Sequence, residues 1–194
     1  MGQSVLALRP GGSAQVLDFS GRLQRSAELF CQVVWPQVAG VFGPGRLVRV
    51  EAMESDCTKV LDLLGIDYLF TPASGEAFGL ASRVQAPDRA GRPWDGFTMS
   101  VHQYDRLQGV QEAGFGHLVP AVAVQAFLDW QSKLLSVGVA RVRELVGTAP
   151  TGTRRGPSGP FYVWSFDDLR KAGRLIARFP DPSIADPFTA FGTR

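Results

Sequence analysis

The chain has 194 residues, 45% of them hydrophobic and 20% charged, with a formal net charge of +2, a composition suited to one globular domain with a substantial core. No run reaches the length of a membrane span, because the most apolar stretch, Val119 to Leu128, is interrupted by Pro120 and Gln125, and the N-terminus shows no basic-then-apolar leader pattern. With two cysteines (Cys31, Cys57) and two histidines (His102, His117), a disulfide framework and a Cys/His zinc site are excluded and histidine-centred catalysis has little to draw on. The expectation is a cytoplasmic protein without membrane attachment, both cysteines being small buried hydrophobes.

Residues 1 to 20 read as an irregular arm or a short strand plus loop around Arg9-Pro10-Gly11-Gly12. From Gly21 to Val34 the apolar residues Leu23, Ala27, Phe30 and Val34 recur at helical spacing, with Ser20 as N-cap. Pro36 kinks that helix or opens a second turn to Phe42, and Gly43-Pro44-Gly45 ends it. Leu47 to Met53 alternates as the first strand of a sheet, and Ser55 to Leu64 is a loop or short helical turn carrying Asp56, Lys59 and Asp62.

The run Leu61-Asp62-Leu63-Leu64-Gly65-Ile66-Asp67-Tyr68-Leu69-Phe70 leads into a strand. Thr71-Pro72-Ala73-Ser74-Gly75 turns the chain, and Phe78-Gly79-Leu80-Ala81-Ser82-Arg83-Val84-Gln85 returns as a second strand, so the two predict an antiparallel hairpin. Strands alternate faces, which puts Tyr68 and Phe70 on one side with Asp67 and Leu69 on the other, and separates Phe78, Leu80, Ser82 and Val84 from Ala81, Arg83 and Gln85. In one of the two relative registers Asp67 and Arg83 share a face. Between residues 51 and 67 five carboxylates (Glu51, Glu54, Asp56, Asp62, Asp67) face one base, Lys59, and repel unless solvent or a cation screens them.

Ala86 to Gly96 reads as a polar loop able to reach over a substrate. Phe97 to His102 resumes alternation as a third or fourth strand of the sheet. Tyr104 to Ala113 is a helix ended by Gly114, and Ala121 to Leu128 is a buried strand of a sheet covered on both faces. Trp130 to Lys133 is a turn, and Leu134 to Val142 favours a strand curling into a helical turn at 143–146. Thr148 to Pro160, carrying Arg154 and Arg155, is expected to be a mobile loop. Phe161 to Trp164 is a short aromatic strand. Ser165 with Asp168 forms a capping-box start to a helix reaching about Arg178, which would array Arg170, Lys171, Arg174 and Arg178 along one side. The Pro-rich end, 180–194, packs on the body or on a second subunit, leaving a homodimer open.

Charge is uneven. Residues 1–129 hold 10 basic and 13 acidic side chains, whereas 130–194 hold 10 and 5. Such a bias suits a polyanionic partner, with Arg154, Arg155, Arg170, Lys171 and Arg174 as phosphate contacts.

The order helix, strand, loop, Gly65-Ile66-Asp67 strand, turn, basic strand, strand, helix resembles the restriction-endonuclease-like, or PD-(D/E)XK, nuclease superfamily over residues 20–128. The resemblance implies an α/β (α+β) fold with a central mixed sheet flanked by helices, the 129–194 segment being a basic extension of a single domain. It implies DNA as partner, Mg²⁺ or Mn²⁺ as cofactor, and Asp67 as metal ligand with an acid from Glu28, Glu54 or Asp62. The family's following acid-any-Lys triplet falls here on Ala81-Ser82-Arg83 or Arg83-Val84-Gln85, neither of which has an acid or a Lys. Arg83 would then stabilise charge on phosphate, since Arg does not yield its proton near neutral pH, and Gln85 would orient water. The alternative implied is a nuclease-fold module that binds nucleic acid or assembles without cutting, with Asp67 and Arg83 as an ion pair in place of metal.

Overall fold

A computed structural model describes residues 5–7, 15–17, 19–52, 60–61, 64–85, 96–116, 119–129, 131–156 and 159–179. The expectations on Glu54, Asp56, Cys57, Lys59, Asp62, the 86–95 loop, His117, Trp130 and the 180–194 tail lie outside them. The fold is mixed α/β around a six-stranded mixed sheet.

Strands β1 (Val5–Ala7) and β2 (Gln15–Leu17) pair with each other. Helix α1 (Phe19–Leu29) begins one residue before the expected Ser20 cap and runs through a π turn (Phe30–Val34) into α2 (Trp35–Phe42). Pro36 explains the π turn, since a proline has no N–H and its ring clashes with the carbonyl four residues back. The widened turn instead carries the Trp35 N–H to the Phe30 carbonyl.

Strand β3 (Gly45–Arg49) gives way to a 3₁₀ turn, Val50–Ala52, short of the expected Met53. The predicted hairpin is present as β4 (Tyr68–Pro72) and β5 (Phe78–Gln85), with Tyr68 opposite Leu80 and Phe70 opposite Phe78. β3 pairs antiparallel with β4, completing a three-strand meander. The chain then crosses through β6 (Gly96–Ser100) and α3 (Val101–Glu112) to β7 (Val122–Leu128), which lies parallel to β5. Strands β8 (Leu134–Arg141) and β11 (Leu175–Phe179) extend the sheet, so its order is β11-β8-β7-β5-β4-β3.

The segment after residue 129 thus supplies two of the six strands. β8 turns into helix α4 (Val142–Val146), as the sequence suggests.

Several expectations need correction. Strand β6 does not join the main sheet; it pairs with β10 (Gly159–Ser165) in a separate three-stranded sheet, β6-β10-β9. It also stops at Ser100, whose hydroxyl accepts the Gln103 N–H and so starts α3 before His102. The Arg154-Arg155 segment is not a loop but strand β9 (Gly152–Gly156), because β10 offers it a ladder with Arg154 opposite Phe161. The basic helix is only Phe166–Lys171 (α5): Gly173 adopts φ +67°, terminates it, and the chain returns as β11. The start of α5 is as expected, with Ser165 Oγ accepting from the amides of Asp167 (3.2 Å) and Asp168 (3.4 Å). The return contact runs through Thr151, whose hydroxyl accepts the Ser165 N–H and donates to Asp168 Oδ2.

Period-two alternation along β4, β5, β7 and β8 makes two cores. Tyr68, Phe70, Leu80, Val122, Val124, Ala126, Val137 and Val139 face α1–α2 and pack on Phe30, Val34 and Val38. Ala123, Phe127 and Ala140 face the small sheet and α3–α5, where Phe97, Met99, Leu107, Leu145, Trp164, Phe166 and Leu169 complete the second core. All seven residues of β7 are buried, which fits the expectation of a sheet covered on both faces. Cys31, expected to be buried, is exposed on the π turn, with its thiol 3.8 Å from the Tyr68 hydroxyl.

Candidate active site

Asp67 stands one residue before β4, where hydrogen bonds to β5 and to the 3₁₀ turn after β3 help fix it. Its amide donates to the Leu80 carbonyl (2.9 Å), its carbonyl accepts the Val50 N–H (2.9 Å), and its carboxylate Oδ2 accepts the Ser82 N–H (2.5 Å). A side-chain oxygen therefore takes a β5 amide just beyond the end of the β4 ladder, which holds the carboxylate against β5.

The next residue anchors this corner from behind. Tyr68 is 1% exposed, stacks on Phe30 with ring centroids 4.7 Å apart, and donates its hydroxyl to the Ala27 carbonyl at 3.3 Å. Burial pushes the Tyr68 phenol well above its ordinary range, with Cys31 adding to the shift.

Arg83 leaves β5 on the face away from α1–α2. Its Nη1 donates to both the carbonyl and the hydroxyl of Thr98 on β6, each at 3.2 Å. Opposite Arg83 on β7 is Gln125, which is 2% exposed. Gln125 Oε1 accepts the Thr98 N–H at 2.7 Å, and its Nε2 donates to Thr98 Oγ1 at 3.1 Å. Gln85 Nε2 also donates to Thr98 Oγ1, at 3.1 Å. Burial lowers the affinity of the Arg83 guanidinium for its proton, and the Asp67 carboxylate acts in the opposite sense by favouring the cation.

Asp67 and Arg83 line one cleft of about 290 Å³ between the main sheet and the β6–β10 layer, together with Ser82, Thr98, Gln103 and Gln125. A smaller recess of about 90 Å³ shares Asp67 and Ser82 and adds Arg49 and Glu51, which are ion-paired. The site is thus a carboxylate and a half-buried guanidinium brought to one cleft, from the residue that leads into one arm of a hairpin and from the other arm. A hard cation or a water could be held by the first, and an anionic oxygen by the second.

The other predicted residues are placed elsewhere. Glu28 lines neither cavity; its carboxylate takes Arg25 (3.5 Å) and Gln24 (3.4 Å) on its own helix. Gln85 does not line the cleft, and its amide is spent on Thr98 rather than directed at a water site. Arg154 and Arg155 are exposed on β9. Arg170 pairs with Asp167 (3.3 Å), and Arg174 reaches Glu144 (3.7 Å) and the Thr148 hydroxyl (2.5 Å). Arg178, on β11, pairs with Asp167 at 2.8 Å and lies over the Phe166 ring, so the single basic face expected of a longer helix is not formed. Lys171 is exposed at the end of α5. Among the described residues no three His, Cys, Asp or Glu side chains form a metal-holding group, and no helix is long and apolar enough to cross a membrane.

Thr98 and Gln125 were not singled out by the sequence reading. Gln125 carries a signal all the same: it is the one polar side chain in the apolar run 121–128, and a polar group in a buried strand requires a partner. Thr98 carries none, because a threonine is ordinary in a strand. No family model, no curated protein and no solved structure matches the chain.

Proposed function

We propose that the protein is a restriction-endonuclease-like phosphodiester hydrolase that acts on DNA with Mg²⁺ or Mn²⁺. The observation that carries this reading is the convergence of Asp67 and Arg83 in one cleft, from adjoining strands of a meander that continues through a helix to a strand parallel to β5. Two features support the reading: with β6 set aside, because it joins the second sheet, the chain runs helix, β3, β4, β5, helix, β7, the order expected of that superfamily, and the acid stands one residue before the meander's second strand.

Asp67 offers the hard oxygen donor that Mg²⁺ and Mn²⁺ prefer, and Glu54 or Asp62 would complete the ligand set from the connection between β3 and β4. Such an ion supplies Lewis-acid polarisation of a phosphoryl oxygen and a more acidic bound water. Arg83 binds and neutralises a phosphate oxygen in a partly desolvated cleft, where its fixed charge counts for more than in water. Ser82 orients the Asp67 carboxylate through its amide. The exposed Arg154 and Arg155 add contacts to a nucleic-acid backbone, which makes affinity fall as salt rises.

One observation favours a second reading, a nuclease-fold module that binds without cutting. When Arg83 is aligned with the family's Lys, the second acid's place is held by Ala81. The test is cleavage of plasmid and linear duplex DNA in Mn²⁺ by the wild-type protein and by D67N. Wild-type cleavage that drops by about two orders of magnitude in D67N is the outcome expected of a metal-ligand carboxylate. Undiminished cleavage in D67N removes Asp67 from the site. DNA binding without cleavage by either protein selects the second reading.

A further inference from the structure

We infer that Thr98 is a positioning residue, which clamps one edge of the Arg83 guanidinium and so reserves the other edge for two oxygens of a single phosphate group. The inference rests on the phosphodiester reading of the cleft and goes beyond it by naming the mode of phosphate recognition and the residue that enforces it.

A guanidinium carries five N–H donors in a planar fork. Two of them, on Nη1, are engaged by the Thr98 carbonyl and hydroxyl at 3.2 Å. Among the described residues, the donors on Nη2 and Nε have no hydrogen-bond partner, and Arg83 lines the cleft. Nη2 and Nε form the edge that matches two oxygens of a phosphate at once, whereas a Lys in the same place offers a point charge.

The clamp is itself braced. Gln125 and Gln85 both donate to Thr98 Oγ1 at 3.1 Å, the Thr98 amide is bound by Gln125 Oε1 at 2.7 Å, and the Thr98 hydroxyl also lies within 3.4 Å of Gln125 Oε1. Three N–H donors thus meet a hydroxyl oxygen that can accept two. When Arg83 shifts toward a ligand, the hydroxyl stays satisfied by the two glutamines and Nη1 keeps the Thr98 carbonyl, so engagement of phosphate leaves no buried group unpaired. The bracing comes from three strands, β5, β6 and β7, which belong to both sheets. Arg83 is thereby held in a single orientation before ligand arrives, which reduces the side-chain ordering that binding has to supply.

The experiment measures affinity for a 20-base-pair duplex, a length of about two helical turns, by fluorescence anisotropy in Ca²⁺, with R83A, R83K, T98V, T98S and the double variant R83A/T98V. Expected are a loss of about tenfold or more in R83A, a loss nearly as large in R83K, about a tenfold loss in T98V, recovery to within about twofold in T98S, and no further loss when T98V is added to R83A, the pattern of groups acting as one unit. Affinity unchanged in R83A overturns the phosphodiester reading of the cleft itself. Loss in R83A with wild-type affinity in R83K and T98V leaves that reading standing and overturns the clamp, as does an additive double variant. Should T98V not fold, the wild-type protein decides: on titration with the same duplex the Arg83 Nε–H resonance is expected to shift, and its failure to move overturns the bidentate contact.

Discussion

The two faces of the six-stranded sheet are built on different principles. The face toward α1–α2 is a closed aromatic and aliphatic layer: Phe70 lies 5.4 Å from Trp35, 5.7 Å from Phe42 and 5.5 Å from Phe78, ring centroid to centroid. The opposite face starts as apolar at Ala123, Phe127 and Ala140 but carries Arg83, Gln85 and Gln125 at its centre, each hydrogen-bonded to one threonine of the second sheet. Non-directional burial holds the first together, whereas the second adds directional bonds to its own apolar core. The cleft that holds both Asp67 and Arg83 opens on the second.

Truncation on the helix side tests the first half of that contrast most severely. Phe70 is 1% exposed, and F70A removes the ring that three other aromatics share. A loss of about 3–5 kcal/mol is expected in urea unfolding, while DNA affinity per folded molecule stays at the wild-type level because no ring of this cluster lines the cleft. A loss below about 1 kcal/mol would mean that this layer repacks freely and that the contrast between the faces is overdrawn.

On the cleft side the expected loss is smaller and of another kind. Q125M keeps the volume but removes the acceptor of the buried Thr98 N–H. An orphaned backbone donor costs about 1–3 kcal/mol, and under the proposed function the loosened Thr98 is expected to lower DNA affinity as well. Stability and binding therefore fall together in Q125M and separate in F70A. If Q125M binds DNA like the wild type, the polar network is structural only.

How much of this was legible in the sequence depends on which link is asked about. The hairpin and the alternating faces of its two strands follow from alternation and a turn signal, because a half-buried strand writes its facing into the residue order, whereas the register that brings Asp67 and Arg83 to one site is supplied by the pairing of Tyr68 with Leu80. The partners of Arg83 do not follow. Thr98 is 15 residues away across a segment leading into a different sheet, and nothing local to Phe97-Thr98-Met99 says which sheet it joins. The basic helix departs from expectation for a related reason: Arg170, Lys171, Arg174 and Arg178 have helical spacing, but Gly173 breaks it, and Leu175 and Ala177 to Phe179 then pair with β8. Tertiary pairing overrode a periodicity that was real but too short to decide. Glu28 illustrates the opposite limit, since its partners are local on α1 and helical spacing places Arg25 and Gln24 beside it.

The smallest expected effect concerns the hinge between the two faces, Tyr68, whose ring belongs to the helix layer while its neighbour Asp67 belongs to the cleft. Y68F keeps the stacking on Phe30 and removes the hydroxyl that donates to Ala27, so at neutral pH it costs about 0.5–1.5 kcal/mol. The pH dependence carries the sharper information. In the folded state burial holds the phenol protonated beyond its ordinary range, whereas an unfolded tyrosine ionises from about pH 10. Above that pH the folded state binds more protons than the unfolded one, so stability falls as pH rises, and the contribution, fully present below about pH 10, is lost as the pH climbs toward the folded value. Phenylalanine has no such proton. The stability advantage of the wild type over Y68F is therefore expected to hold steady from about pH 7 to 9 and to shrink above about pH 10, measured as urea unfolding free energies of both proteins in parallel. A constant gap across that range would place the Tyr68 hydroxyl in contact with water, and with it would go the dry backing against which Asp67 is held.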